Sequence, residues 1–208
     1  MRFFFFPYLN VSHAMSFLKD LQQTDNKPIL SNGSLIRQFD AQIFPPLDNI
    51  ILLATGEEVR FPQFLMKRHK KSCTLLTIAY NDFGNKLLSS WTEPFEDEFA
   101  SKSKRMQEVV NLTIQEGRVL NFLKPLIINS AMKRIPQEKH GRTLLYFGEC
   151  DKLRDMVRMH NNKTSFVYLL DGEGRVRFAG SGKASKEEVD RLIEFAKKLS
   201  SPSYSNKV

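Results

Sequence analysis

Cys73-Thr74-Leu75-Leu76-Thr77-Ile78-Ala79-Tyr80, followed by Asn81-Asp82-Phe83-Gly84, is the stretch on which the fold turns. Eight residues that are nearly all apolar or β-branched, closed by a cluster of turn formers, read as a strand buried on both faces of a parallel sheet. Such a strand belongs inside the sheet and needs helices on either side. The first helix follows the break: residues 85–100 have helical character, carry Trp91 and an acidic run, and include Pro94, which is expected to kink or split the helix.

Toward the C-terminus, Val110, Leu112 and Ile114 alternate with Asn111 and Thr113 as a strand, and residues 119–135 read as a helix bent or restarted at Pro125. Residues 144–147 make a short strand, and residues 151–160 a short helix with Leu153 and Val157 on one face. Strands at 165–170 and 175–179 are joined by Asp171-Gly172-Glu173-Gly174, whose Asp-Gly step supplies the positive φ of a tight reversal. The last helix opens with Ser185-x-x-Glu188, a capping box, and aligns Val189, Leu192, Ile193, Ala196 and Leu199 in one stripe. Toward the N-terminus, residues 49–54 and 58–61 flank Thr55-Gly56-Glu57 as a hairpin, and turn formers leave residues 21–48 an irregular lead-in. Alternating strands and helices predict an α/β domain over 49–199, followed by a polar tail at 200–208. Its sheet is mostly parallel, flanked by helices, and ends in a C-terminal β-hairpin and helix. That arrangement is thioredoxin-like, and the extra strand and helix between Thr143 and His160 resemble the peroxiredoxin branch.

The chain has 208 residues, enough for one buried domain with ragged ends, and 41% hydrophobic against 26% charged residues marks a chain that folds. No run of about 18 apolar residues occurs, so membrane association is expected to be peripheral. The net charge of +8 fits an anionic lipid surface, an acidic protein or RNA without choosing among them. Residues 1–20 hold Arg2 and His13, with Asp20 the first acid. They read as a mitochondrial targeting segment, or, from Phe3-Phe4-Phe5-Phe6-Pro7, as the apolar part of a secretory signal.

Catalytic chemistry is hard to place. In a thioredoxin-like sheet the reactive cysteine follows the strand at 73–80, where a helix start stabilises a thiolate, and here Asn81-Asp82-Phe83-Gly84 carries no sulfur. Asn162-Lys163-Thr164 stands where thioredoxins place a proline beside that cysteine. Cys73 begins a strand and Cys150 follows a parallel one, so they should sit roughly 20 Å apart at opposite ends of the sheet, too far to bridge. Cys150 opens a helix, but Glu149 and Asp151 oppose a thiolate there. His13 lies in the leader, His69 and His140 sit in polar stretches expected to be solvated, and His160 is placed to cap a helix end. Neither a triad nor a metal site nor a cofactor motif is written. Gly180-Ser181-Gly182-Lys183 turns strand into helix rather than cradling phosphate, and Lys67-Arg68-His69-Lys70-Lys71 is either a phosphate or lipid contact or a solvated turn.

From residue 144 onward, Leu144-Leu145-Tyr146-Phe147-Gly148, Leu153-Arg154, Tyr168-Leu169-Leu170-Asp171 and Gly174-Arg175-Val176-Arg177-Phe178-Ala179-Gly180-Ser181-Gly182-Lys183-Ala184 resemble the mitochondrial ATP synthase assembly-factor family that escorts subunit a. Looser similarity runs back through Ser90-Trp91-Thr92-Glu93-Pro94-Phe95, and Phe178 departs from the Trp expected at its position. The resemblance implies a chaperone rather than an enzyme. It would act without a cofactor, on the matrix side of the inner mitochondrial membrane and in peripheral contact with it, binding newly made subunit a and promoting its joining to the ring of membrane subunits. Neither nucleic acid nor a small-molecule substrate is implied. Candidate partner contacts are Arg175 and Arg177, read as pointing outward from the edge hairpin, together with Lys183 and with Trp91, unless Trp91 belongs to the core. The rival reading is a divergent peroxiredoxin- or thioredoxin-type thiol oxidoreductase.

Overall fold

The computed structural model describes residues 27, 29, 31–68, 73–100, 107–117, 120, 122–157, 159 and 164–201. The decisive stretch forms β3 (Cys73–Ala79), with every side chain buried. Around it lie β1 (Leu47–Leu52), β2 (Glu58–Phe61), β4 (Gln107–Gln115), β5 (Thr143–Phe147), β6 (Ser165–Leu170) and β7 (Val176–Ser181), in one sheet ordered β2-β1-β5-β4-β3-β6-β7. Parallel pairing is confined to β3–β4 and β4–β5. The N-terminal hairpin adds to β5 antiparallel and the C-terminal hairpin adds to β3 antiparallel, so the sheet is more mixed than strand–helix alternation alone implies.

The helices are α1 (Gln63–Arg68), α2 (Asp82–Ala100), α3 (Lys124–Arg134), α4 (Asp151–Val157) and α5 (Lys186–Leu199), with a 3-10 helix at Gln137–Arg142. Pro94 does not split α2. A mid-helix proline costs about 3 kcal/mol. Leu88, Trp91, Phe95 and Phe99 on that helix are all buried, at roughly 1.5 to 3 kcal/mol each, so tertiary packing outweighs the break. Pro125 lies in the first turn of α3, where a missing N–H costs nothing, and acts as a restart. The capping box on α5 forms as expected, but its buried stripe is Leu192, Phe195 and Ala196, with Ile193 and Leu199 only partly covered. His69, His160 and most of the basic run at 67–71 lie outside the described residues, as does the segment 1–20.

Strand alternation separates the core into layers. Leu76, Ile78, Val110, Leu112, Ile114, Phe166 and Tyr168 face one side, under Leu65 of α1 and Leu153 and Val157 of α4. Leu75, Val109, Val167, Leu169 and Phe178 face the other, under α2 and α5. A separate cluster lies beneath α3, where Ala131 meets Ile51, Leu53, Leu145 and Phe147.

The irregular lead-in covers the outer edge of β7. Ile36 N–H donates to Arg177 O at 3.0 Å, Val176 N–H to Gln42 O at 2.8 Å, and Phe44 N–H to Gly174 O at 2.8 Å, with Phe44 fully buried. An edge strand that would otherwise recruit another chain is thereby satisfied. In the hairpin turn the positive φ falls on Gly174, at 75°, and not on the Asp-Gly step. A longer loop with a left-handed residue before β7 accounts for the register shift between Leu169 and Leu170.

Candidate functional site

Because β3, β4 and β5 are parallel, their C-terminal ends gather residues 81–84, 116–117 and 148–150 at one edge of the sheet, the side on which open α/β sheets take ligands. A redox thioredoxin would hold a thiolate at the start of α2. Here Asn81 caps that helix: its Oδ1 accepts the Gly84 N–H at 2.9 Å, and its carbonyl accepts the Asn85 N–H at 3.1 Å. The amide that would stabilise a thiolate is thus taken by a neutral carboxamide. Beside it, Phe83 is 63% exposed.

Neither thiol compensates. Cys73 is buried, its Sγ–H donating to Ala196 O at 3.7 Å, and burial pushes its pKa up to about 12. Cys150 is likewise pushed up to about 12, first by burial and then by the Glu116 carboxylate, with Arg154 opposing. Cys73 pairs with Gln107 at the start of β4 and Phe147 with Gln115 at its end, eight residues or about 26 Å along the strand, and Cys150 follows Phe147, so the two thiols lie at opposite ends and on opposite faces of the sheet. Tyr80, under the Arg154 guanidinium at 5.5 Å, is pushed up to about 12 by burial, and Arg154 pairs with Glu116 and with Asp151. His140, expected in solvent, is half-buried with Nε2 2.8 Å from Ile135 O, because the 3-10 helix folds it back. Among the described residues no three His, Cys, Asp or Glu side chains could hold a metal, and no helix is long and apolar enough to cross a membrane.

What the corner does have is a groove of about 380 Å³ between α2 and α3, floored by Asn111, Thr113 and Gln115 of β4. Register places Thr77, Asn111 and Thr143 in one polar row across three parallel strands. Asp82, Asn85, Arg134 and Lys139 line its sides, and Arg134 meets Asp82 at 3.5 Å. At the start of α3, on the segment that follows β4, Phe122 is 88%, Leu126 67% and Leu123 41% exposed. Phe122, Leu123 and Leu126 form an exposed apolar group at the start of α3, where Lys124 meets Glu58, whereas Phe83 is exposed near the other end of that helix, where Arg134 meets Asp82; Phe39, Ile43 and Met156 are exposed elsewhere.

The candidate contacts read from sequence fall elsewhere. Trp91 is fully buried: its Nε1–H donates to Gly182 O at 2.8 Å, its ring lies edge-on to Phe178, and a Cβ on Gly180 would meet it at 2.8 Å. It has no surface to offer. Arg177 points inward, 1% exposed, its Nε–H donating to Ile36 O at 2.7 Å and its Nη1 to Asp171 Oδ2 at 2.9 Å. The lead-in and the hairpin turn cover the edge on which it was read as exposed. Arg175 is partly exposed but turned back on Glu173 and on Ala41 O, and Lys183 is exposed in the turn before α5.

Residues 11–199 match the family model described as ATP10 protein. The chain belongs to the ATP10 family. Two relatives are named mitochondrial ATPase complex subunit ATP10: one from Candida glabrata, 21% identical over 86% of this chain and 64% of its own length, and one from Saccharomyces cerevisiae, 22% identical over 92% of this chain and 72% of its own. The chain therefore spans less than two thirds of the Candida glabrata relative. The structure is similar to a secreted thiol-disulfide isomerase from Corynebacterium glutamicum, with a TM-score of 0.51, 9% identity, and coverage of 83% of this chain and 92% of that one. At that identity the likeness shows the fold, which is thioredoxin-like.

Sequence reading of this ATP10 family member passed over Phe83, Phe122, Leu123 and Leu126, which periodicity alone cannot tell from core positions. A signal was present in β4, where Asn111, Thr113 and Gln115 are polar on an interior strand whose second face should be apolar.

Proposed function

We propose that this chain is an assembly factor for the membrane sector of the mitochondrial ATP synthase. It holds newly made subunit a at the corner beyond β3 while that subunit joins the ring of membrane subunits, and it does so without redox chemistry, on the matrix side of the inner membrane and in peripheral contact with it. Membership of the ATP10 family and the names of its relatives support the ATP synthase as the destination. The observation that carries the reading is the exchange at the start of α2, where an Asn-capped helix and an exposed Phe83 stand in place of a thiolate. Exposed apolar side chains at Phe83 and along the start of α3 would bind another polypeptide through burial, at roughly 25 cal/mol per Å². Deleting the chain should leave the catalytic sector of the ATP synthase formed and the membrane sector incomplete. Replacing Phe83, Phe122, Leu123 and Leu126 together by Ser should reproduce that defect at normal protein levels. Normal ATP synthase assembly in the fourfold variant would exclude this corner as the holding surface, and normal assembly in the deletion would exclude the function.

A further inference from the structure

The groove over β4 differs in chemistry from the apolar residues beside it. An interior strand of an α/β sheet ordinarily buries both faces under helices, yet here α2 packs on Leu75, Val109 and Val167, α3 packs on Leu145 and Phe147, and the strip between them is left to amides and hydroxyls. The strip is organised. Thr77 Oγ1–H donates to Asn111 Oδ1 at 2.7 Å, which orients the carboxamide so that its NH2 end is available to the groove, and Thr143 Oγ1–H donates to Lys139 O at 2.9 Å, tying the 3-10 helix to the floor. Of the charged groups lining the groove, Arg134 and Asp82 answer each other, which leaves Lys139 as the net charge. Among the described residues no carboxylate pairs with it.

We propose that this groove binds an extended polypeptide segment carrying a carboxylate side chain, with Lys139 meeting the carboxylate and Asn111 and Gln115 hydrogen-bonding the segment's backbone. Asn111 to Gln115 is four residue steps, about 13 Å, the length of four extended residues laid along the strand. Paired donors and acceptors on side-chain amides match a peptide backbone, and one net cation selects an acidic side chain over a basic one. The proposal deepens the client-holding function and depends on it only for whose segment is held: Phe83, next to Asp82 of the groove wall, takes an apolar residue, and the groove takes an acidic residue in the neighbouring extended stretch.

The test uses the full chain and immobilised capped hexapeptides of random sequence, one set with Glu fixed at the third position and the other with Gln. The Glu set should retain the chain about tenfold better than the Gln set, the weight of one charge-assisted hydrogen bond. Lys139→Gln, whose side chain supports no described packing, should erase that preference without changing the melting temperature, and Lys139→Arg should keep it. Equal retention of the two sets, or an undiminished preference in Lys139→Gln, would overturn the proposal. Peptide preference is measured without any ATP synthase subunit, so its failure is separate from failure of the assembly function.

Discussion

Replacing Arg177 by Met separates a structural arginine from a partner-binding one. Its guanidinium is 1% exposed, held by Ile36 O at 2.7 Å and by Asp171 Oδ2 at 2.9 Å. Asp171 itself is 12% exposed, and its other carboxylate oxygen accepts the Glu173 and Arg175 N–H groups at 3.0 Å each, so it cannot swing into water when the arginine is gone. Breaking a buried pair on one side leaves an uncompensated charge, at a cost of about 3 to 5 kcal/mol. For a domain of this size that is a drop in melting temperature of roughly 6 to 20 °C. Met fills much of the aliphatic volume, so the loss isolates the ionic contact. Adding Asp171→Asn should recover part of it, with a coupling energy of about 0.5 to 3 kcal/mol in a double-mutant cycle followed by thermal and urea unfolding. A melting temperature unchanged within about 2 °C, together with lost capture of subunit a, would refute this and return Arg177 to the partner surface.

Gly180→Ala should destabilise by about 1 to 3 kcal/mol, because the new methyl would meet a Trp91 ring that its own hydrogen bond to Gly182 O keeps from moving; urea unfolding followed by the fluorescence of the chain's one Trp reads it. Both thiols should resist iodoacetamide at pH 8 in the folded protein and react once it is unfolded in urea, as their pKa values of about 12 require. These two groups bind more protons folded than unfolded between pH 9 and 12. Stability is therefore fully present below about pH 9 and should fall by about 1.4 kcal/mol per pH unit for each thiol above it, and Cys73→Ala with Cys150→Ala should flatten the slope between about pH 9 and 10, below the range in which the buried Tyr80 and Tyr168 add to it. Single changes Phe83→Ser or Phe122→Ser should leave stability within about 0.5 kcal/mol, as exposed positions do, while lowering retention of subunit a.

The layers of the fold were legible because β3, β6 and the capping box of α5 are local signals: continuous apolar runs and a Ser-x-x-Glu spacing say where an element is whatever surrounds it. The antiparallel attachment of β1 to β5 was not, since pairing between Leu52 and Leu144 spans most of the domain and no local pattern encodes it. The inward turn of Arg177 escaped for a related reason. On a bare edge hairpin that arginine would face water, and only the lead-in, which has almost no periodicity of its own, buries it. Absence of a thiol after β3 could be read directly from Asn81-Asp82-Phe83-Gly84. That Phe83 stays in water could not, because exposure of an apolar residue depends on how far α3 reaches across the corner.

A photo-crosslinking residue placed at position 83, with a second version at position 57 in the β1–β2 turn at the opposite end of the sheet, tests the holding corner most directly when each is introduced into mitochondria synthesising their own membrane subunits. If the corner that lacks a thiol is where the client lies, the residue at 83 captures new subunit a and the residue at 57 does not. Capture at 57 with none at 83, or capture at neither while ATP synthase assembly still requires the chain, would place the client elsewhere on the molecule.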